Sequence, residues 1–264
     1  METQETVLTS IHEHVMTITL NRPKVNAFNL VMIAAAQKAF REAARDSQVR
    51  AVLLTGSGAV FSAGQDLNEI QQAQGTSLRR HLQETYNPLV VQIRRLDKPV
   101  LAALPGVAAG AGLGVALACD LRICADNARF VVGFGGIGLV PDSGVSLFLP
   151  SLIGIGRAVE FTFNNQPITA EQALAWGLVN RVAPAAQLAQ QALAWAVELA
   201  HGPLPAMALA KRAFNKAMYP QLEEVLDYEG HMQEIAAQTP EHREGVSAFL
   251  EKRAPKYIKS FIQK

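Results

Sequence analysis

Cysteine is scarce in this sequence, and its charges are balanced. Cys119 and Cys124 are the only cysteines among 264 residues, and both lie in apolar surroundings. This excludes a disulfide-stapled secreted scaffold and predicts two buried thiols in a reducing compartment. The formal net charge is +1, without a long block of one sign, so no nucleic-acid partner is expected. The first ten residues lack the basic and apolar regions of a signal peptide, and we therefore expect a cytoplasmic protein.

Long hydrophobic runs are also scarce, and the one stretch long enough to cross a membrane is 99–119, with 21 uncharged residues. Alanine and glycine dominate it, and Pro105 and Gly106 interrupt it, so we do not expect a membrane span. The pattern instead predicts a buried strand at Val100–Leu104, a tight glycine turn and a buried helix at about Ala111–Ala118. Such a turn leaves free backbone N–H groups at a helix N-terminus, where they bind negative charge.

Strand and helix patterns alternate through the first two thirds of the chain, and helical patterns follow. Strands are predicted at 15–20, 49–55, 100–104, 121–125, 130–132 and 178–182. Helices are predicted at 30–45, 78–96 with a disturbance at Pro88, 111–118, 143–149, 157–163, 170–176 and from 185 onward. This order predicts an α/β core with a helical C-terminal part. The glycines at 106, 110, 112 and 114 do not fit G-x-G-x-x-G, which disfavours a Rossmann fold.

Six pieces of the sequence occur in the order in which one known enzyme family carries them. They are NRPKVNAF (21–28), FSAGQDL (61–67), KPVLAALPGVAAGAGLGVALACDLRICAD (98–126), GLVPDSG (138–144), ITAEQALAWGLVNRV (168–182) and FLEKR (249–253). On these pieces the chain resembles the enoyl-CoA hydratase/isomerase family, the crotonases. The PDSG motif, together with Gly-Ala-Gly in the turn, resembles most the branch of 1,2-epoxyphenylacetyl-CoA isomerases. That branch expands a ring epoxide to an oxepin and also shifts 3-enoyl to 2-enoyl thioesters.

The resemblance implies a crotonase-like spiral of ββα turns over residues 1–198 and a helical oligomerisation region over 199–264. It also implies a homotrimer or a dimer of trimers. The implied substrate is an acyl-CoA thioester, and no cofactor is implied because coenzyme A is part of the substrate.

Two backbone amides are the implied oxyanion donors, those of Ala63 and Ala111. A proton next to a thioester carbonyl becomes removable when two N–H donors and a helix N-terminus hold the enolate oxygen. Without the resemblance, Ala63 would be part of a simple tight turn and Ala111 a close-packed helix start.

Hydratases of this family use two glutamates to activate water, and the matching positions here hold Gly114 and Phe134. Hydration is therefore disfavoured. Asp142 stands where isomerase branches and aryl-CoA dehalogenases carry an aspartate, and its apolar sequence neighbours should raise its pKa. A single base suits a proton shift from one carbon to another, so an acyl-CoA isomerase of phenylacetate or fatty-acid degradation is expected. Alternatively, Asp142 could be the N-cap of a helix starting at Ser143.

Two other functions stay open. In a hydrolytic dehalogenase-like enzyme, Asp142 would be the nucleophile. Such an enzyme would need a histidine near 81–90, but His81 is expected on a solvated helix face. The second alternative is a catalytically silent protein that binds acyl-CoA.

The resemblance also implies a set of coenzyme A contacts: Arg22, Lys24, Ala63, Gln65, Asp66, Leu67, Phe249 and Lys252. Ordinary surface charge is the alternative for the basic residues of this set. Asp66 could instead hold its own loop through local hydrogen bonds. No metal site is expected.

Overall fold

The computed structural model describes residues 5–72 and 77–257. The strands are β1 (Val7–His12), β2 (Val15–Leu20), β3 (Ala51–Gly56), β4 (Val60–Ser62), β5 (Val100–Leu104), β6 (Val107–Ala109), β7 (Leu121–Ala125), β8 (Arg129–Val131), β9 (Ile168–Thr169) and β10 (Arg181–Ala183). The helices are α1 (Leu30–Arg45), α2 (Leu67–Gln72), α3 (Leu78–Glu84), α4 (Tyr86–Arg95), α5 (Ala111–Ala118), α6 (Val145–Ile153), α7 (Ile155–Asn164), α8 (Ala170–Trp176), α9 (Leu188–His201), α10 (Leu204–Met218), α11 (Leu222–Ala237) and α12 (Pro240–Leu250). Short 3-10 helices lie at Phe134–Ile137 and Ala185–Gln187.

The strands form two sheets that the chain visits in turn. The first sheet has the order β1-β2-β3-β5-β7-β10 and the second β4-β6-β8-β9. Within them, only the β1·β2 and β8·β9 pairs are antiparallel. The chain runs from β3 to β4 and on to helices, then from β5 to β6 and α5, then from β7 to β8 and α6. This repeat of two strands and a helical segment confirms the expected crotonase-like α/β fold.

The central strand β5 is buried on both faces. Ala102 and Leu104 belong to the main core beneath α1 and α4, whereas Leu101 and Ala103 pack in a second cluster beneath α9. A parallel strand covered on both sides is expected to be continuously apolar. The apolar first half of 99–119 is therefore explained by burial in protein, and no described helix combines the length and apolarity needed to span a bilayer.

Three helices have the bounds that the sequence predicts: α1, α5 and α8. Two of them, α1 and α8, begin at a side chain that caps the first turn. Asn29 caps α1 by accepting a hydrogen bond from the Met32 N–H at 2.9 Å. Thr169 and Gln172 form a capping box at the start of α8, and Gly177 ends that helix in the left-handed conformation. The thiols of Cys119 and Cys124 are free and buried, as predicted.

The predicted helix 78–96 is disturbed, as expected, but not at Pro88. The helix is divided at Thr85 into α3 and α4, three residues before Pro88. Pro88 is the third residue of α4, where a backbone N–H has no partner in the helix, so proline is tolerated there. The predicted helix at 143–149 also starts later, at Val145, because Ser143 and Gly144 have φ values of +55° and +80°.

The helices after residue 201 fold back onto the core. Lys211 of α10 is buried and donates from Nζ to Asp120 Oδ2 at 2.7 Å and to the Ile93 carbonyl at 2.9 Å. Helix α11 packs against α3, α4 and α6. The tail is therefore helical, and α11 is also part of the wall of the main cavity.

Candidate active site

A cavity of about 310 Å³ lies between the FSAGQDL segment, the start of α5, α3 and α11. Its apolar lining includes Leu78, Leu82, Phe134, Ile137 and Leu139. Its polar side chains are Gln65, His81, Tyr86, Asp142, Asn165 and Gln233. A mainly apolar cavity with a few convergent polar groups is the usual form of a small-molecule site.

Two segments meet closely at one side of this cavity. Gly64 has φ +89°, and a Cβ on it would lie 2.9 Å from the Ala109 carbonyl oxygen and 3.4 Å from the Ala111 nitrogen. Only glycine permits this approach and this conformation. Ala111 is the first residue of α5, and its N–H donates no hydrogen bond to any described residue. The start of α5 therefore offers a free amide at the positive end of a helix dipole.

The structure does not support Ala63 as the second oxyanion donor. The Ala63 N–H is donated to the Val25 carbonyl at 3.0 Å, so it is already used. The free amide of this segment is that of Gln65, two residues further on. The Phe28 N–H donates to the Gly64 carbonyl at 2.7 Å, and the Phe28 carbonyl accepts from the Asp66 N–H at 2.8 Å. This pairing turns the Gln65 N–H away from Phe28, and no described residue accepts that N–H. The pair of free donors is therefore Gln65 and Ala111.

Asp142 lies in the cavity wall and is 6% exposed. Its Oδ1 accepts from the Ser143 hydroxyl at 2.7 Å, and its Oδ2 accepts from Gln233 Nε2 at 2.6 Å. Burial raises the pKa of Asp142 to about 6, although these two hydrogen bonds oppose the shift. The expected rise of its pKa is thus found, and a carboxyl with such a pKa can exchange protons near neutral pH.

The N-cap alternative for Asp142 is wrong. Helix α6 begins at Val145, its N-cap is Gly144, and no cap side chain bonds to its first turn. The carboxylate that bonds there is Glu229 of α11, through the N–H groups of Gly144 (2.9 Å) and Ser146 (3.0 Å). Asp142 is therefore free of a capping role.

Glu229 and Gln233 are site residues that the sequence did not reveal. Gln233 Nε2 donates to the Val140 carbonyl at 2.8 Å as well as to Asp142, and its Oε1 is buried without a partner in the described part of the chain. Both residues lie more than 80 positions after Asp142, in a region expected to serve oligomerisation. No local motif marks them, and only their i, i+4 spacing on one helix face links them.

The hydratase glutamates are absent, and the structure shows what occupies their space. A Cβ on Gly114 would lie 2.7 Å from the Ser143 Cβ and 2.8 Å from its carbonyl oxygen. Phe134 is buried and lines the cavity. Helix α5 thus packs directly on the residue after Asp142, and no side chain fits at position 114.

A second polar group lies on the α3–α4 side of the cavity. Gln65 Oε1 accepts from the Tyr86 hydroxyl at 2.6 Å and lies 3.3 Å from His81 Nε2. The expectation that His81 sits on a solvated face is wrong, because it lines the cavity beside the Tyr86 ring. Burial lowers the pKa of His81, although the charges of Glu69 and Glu84 oppose this shift.

The implied coenzyme A contacts are divided between the cavity and its surroundings. Ala63, Gln65, Leu67 and Phe249 line the cavity, with Phe249 60% exposed. The other contacts lie outside its lining: Arg22, Lys24, Asp66 and Lys252.

Asp66 does hold its loop. Its carboxylate accepts from Arg22 Nη2 at 2.7 Å and from the Asn68 N–H at 3.0 Å. Burial raises the pKa of Asp66, but these bonds outweigh it and lower the pKa overall. No described group of three or more His, Cys, Asp or Glu side chains could hold a metal ion.

Two amides without a described acceptor, one of them at a helix N-terminus, and a buried carboxyl of raised pKa share one cavity in a spiral of ββα turns. Such groups suit stabilisation of an oxyanion and proton transfer. The chain belongs to the enoyl-CoA hydratase/isomerase family, whose model matches residues 10–260. It is therefore a crotonase-family enzyme that acts on CoA thioesters.

Several relatives have different activities. The chain is 40% identical to the 1,2-epoxyphenylacetyl-CoA isomerase of Escherichia coli K12, over 96% of this chain and 98% of the relative. It is 35% identical to 4-chlorobenzoyl coenzyme A dehalogenase-2 of an Arthrobacter species, over 81% of this chain and 79% of the relative. The crystal structure of an enoyl-CoA hydratase from Mycobacterium avium subsp. paratuberculosis matches with a TM-score of 0.86 and 33% identity, over 95% and 98% of the two chains.

Proposed function

We propose that this enzyme is an acyl-CoA isomerase in which Asp142 moves the proton. The observation that carries this proposal is the buried carboxyl of Asp142 in the same cavity as two unpaired amides, those of Gln65 and Ala111. The amides supply the charge stabilisation that an enolate needs, and the carboxylate supplies the base.

The proposed reaction has two proton transfers. The Asp142 carboxylate removes a proton from the carbon next to the thioester carbonyl, and the electron pair moves onto the carbonyl oxygen. Gln65 and Ala111 donate their N–H groups to this oxyanion. Protonated Asp142 then returns the proton at the far carbon of the conjugated system, which converts a 3-enoyl to a 2-enoyl thioester. For the 1,2-epoxide of phenylacetyl-CoA, the same enolate chemistry would accompany expansion of the ring to an oxepin.

Hydration is not proposed, although a hydratase is among the similar structures. Water activation in this fold needs carboxylates at the positions of Gly114 and Phe134, and neither is present. The remaining cavity carboxyl, Asp142, already accepts bonds from Ser143 and Gln233.

A second candidate is hydrolytic dehalogenation of an aryl-CoA, and the position of His81 favours it. In this reaction Asp142 attacks the halogen-bearing carbon, halide leaves, and water then hydrolyses the aryl ester. A neutral imidazole in the cavity could take the proton from that water, and burial keeps the pKa of His81 low. His81 Nε2 lies 3.3 Å from Gln65 Oε1 and makes no hydrogen bond to Asp142 in the described part of the chain, so this candidate stands second.

The coenzyme A contacts and the oligomeric state are also proposals. We place the pantetheine and adenine along the segment that holds Ala63, Gln65, Asp66 and Leu67. Arg22 and Lys24 would lie near the phosphates and adenine, and Phe249 and Lys252 would reach the coenzyme A of a neighbouring subunit. Calorimetric titration of coenzyme A into Lys24→Ala and Lys252→Ala variants tests the contacts. Light scattering tests the trimer or dimer of trimers.

The deciding experiment compares Asp142→Asn with wild type on a straight-chain 3-enoyl-CoA and on the ring epoxide. General-base catalysis contributes about 10²–10⁴-fold, so a loss of at least about 10²-fold in kcat is expected. The control is Asp126→Asn, an exposed aspartate of the β7–β8 turn that should keep full activity. Full isomerase activity in Asp142→Asn would overturn the proposal.

Oxygen-18 water separates the two candidates. Isomerisation leaves solvent oxygen out of the product, whereas hydrolysis of a halogenated aryl-CoA introduces it. Binding of acyl-CoA without turnover of any of these substrates would indicate a silent binding protein.

A further inference from the structure

We propose that Glu229 is a positioning residue that holds the Asp142 segment and sets the pH range in which Asp142 acts as a base. The inference rests on the proposed function, because it assumes that Asp142 is the base. Glu229 itself does not line the cavity and touches no substrate position.

Glu229 is a buried carboxyl, 3% exposed, whose bonds all go to one short segment. Its Oε2 accepts from the Gly144 N–H at 2.9 Å, and its Oε1 accepts from the Ser146 N–H at 3.0 Å and from the Ser146 hydroxyl at 2.5 Å. All three partners are donors, which favours the ionised carboxylate. Helix α6 has no cap side chain of its own, so a carboxylate from α11 satisfies its first turn.

The segment that Glu229 holds has an unfavourable backbone. Ser143 (φ +55°) and Gly144 (φ +80°) are successive left-handed residues directly after Asp142. A serine in this conformation persists only where surrounding contacts determine it. Gln233, one turn after Glu229, donates to Asp142 and to the Val140 carbonyl. Helix α11 therefore makes hydrogen bonds to the chain before Asp142, at Val140, and after it, at Gly144 and Ser146.

Glu229 also acts on Asp142 through charge. Burial raises the pKa of Glu229 to about 7; hydrogen bonds from Ser146 and Gly144 oppose the shift, and the charge of Asp142 adds to it. Among the described residues, the charge of Asp142 acts on Tyr86 of α4 and on Glu229 of α11, and His81 of α3 lines the same cavity. Tyr86 stays protonated because burial raises its pKa well above the ordinary value. Two neighbouring carboxyls with such values titrate as a coupled pair.

The test is the pH dependence of kcat/KM for the 3-enoyl-CoA in wild type and Glu229→Gln. Activity requires ionised Asp142, so it should rise with pH through the acid limb. The charge of Glu229, where it is ionised, opposes ionisation of Asp142, so the acid limb should move to lower pH in Glu229→Gln. Glu224→Gln, an exposed glutamate on the same helix, is the matched control and should not move it.

Two further variants separate charge from structure. Glu229→Asp keeps the charge but shortens the reach, so kcat should fall while the acid limb stays within a few tenths of a pH unit. Ser146→Ala removes one donor that stabilises the Glu229 charge, which should move the limb in the same direction as Glu229→Gln but less. It also keeps the inference testable if Glu229→Gln does not fold.

An unchanged apparent pKa in both Glu229→Gln and Ser146→Ala, with a lower plateau, would assign Glu229 a merely structural role and overturn the inference. Failure of the proposed function looks different: wild type would then show no acid limb, or Asp142→Asn would remain active.

Discussion

Replacing Gly114 by alanine adds one methyl group at the contact between α5 and the Asp142 segment. The new Cβ would lie 2.7 Å from the Ser143 Cβ, 2.8 Å from the Ser143 carbonyl oxygen and 3.2 Å from Val145 Cγ2. Two of these atoms belong to a residue held in a left-handed conformation by its neighbours, so it cannot rotate away. Either α5 or the Asp142 segment must move.

The expected effect on stability is the balance of two terms. Overpacking a core site costs about 1–3 kcal/mol. Exchanging glycine for alanine inside a helix returns up to about 1 kcal/mol. We expect a net loss of about 1–2 kcal/mol, which for a chain of this size corresponds to a decrease in Tm of roughly 2–8 °C. The effect on activity should be larger, because displacing a catalytic group by 1 Å costs about 10²-fold.

Gly156→Ala is the matched control. Gly156 is exposed in α7, and a Cβ on it would meet nothing within 4 Å. The same exchange should therefore raise stability by about 0.5–1 kcal/mol and leave kcat unchanged. Tm by calorimetry and kcat for the 3-enoyl-CoA are measured for both variants in parallel.

A Gly114→Ala variant as active and as stable as Gly156→Ala would show that the contact between Gly114 and Ser143 does not fix the position of Asp142. A fall in Tm with unchanged kcat would refute the catalytic half alone. Gly114→Glu carries the argument further, since a glutamate at this site has no space beside Ser143. It should not confer hydration of crotonyl-CoA, and brisk hydration would contradict the packing argument.

Three further outcomes are expected. Asp142→Asn should raise Tm at pH 8 but not at pH 4. The pKa of Asp142 is about 6 in the native state and 3.8 ordinarily, so the native state binds the proton more tightly than the unfolded state. The stability of the wild type therefore falls by up to about 3 kcal/mol as the pH rises between these two values, and the asparagine variant lacks this loss. Equal Tm differences at both pH values would contradict this. Lys211→Met should cost about 1.5–3 kcal/mol in urea unfolding, because the partly buried Asp120 loses its closest cation but keeps Arg94; an unchanged free energy of unfolding would contradict it. Thr169→Ala should cost about 1 kcal/mol through loss of the α8 capping box, and an unchanged midpoint would show that the cap contributes nothing.

Elements with a local signal could be predicted from the sequence, and elements defined by a partner could not. Helix α1 is predicted by the capping residue Asn29 and by the helical spacing of its apolar residues, and β5 is predicted by its continuous apolar run. The three-residue strands β4 and β6 have no pattern of their own. They are strands because β6 lies between β4 and β8 in the second sheet. Pairing with a strand more than 20 residues away leaves no pattern in the local sequence.

The same division explains the site. Asp142 and Ala111 both line the cavity, and both could be singled out from the sequence because each stands in a motif. That the N–H of Gln65 is free, and not that of Ala63, could not be predicted. Which N–H stays free depends on the backbone hydrogen bonds that Val25 and Phe28 make with this segment. Glu229 could not be predicted either, since its partners are backbone N–H groups more than 80 residues away.

Gly114 explains why a glutamate on α5 is absent while Asp142 is present. In the sequence, Gly114 is only a place where a hydratase glutamate is absent. In the structure, its lack of a side chain lets α5 approach Ser143, and that approach helps to hold Asp142 in the cavity wall. A glutamate at 114 and the present Asp142 loop would compete for the same volume. The chain can therefore carry a carboxylate on α5 or one on this loop in its present position, and the contact between Gly114 and Ser143 selects the loop.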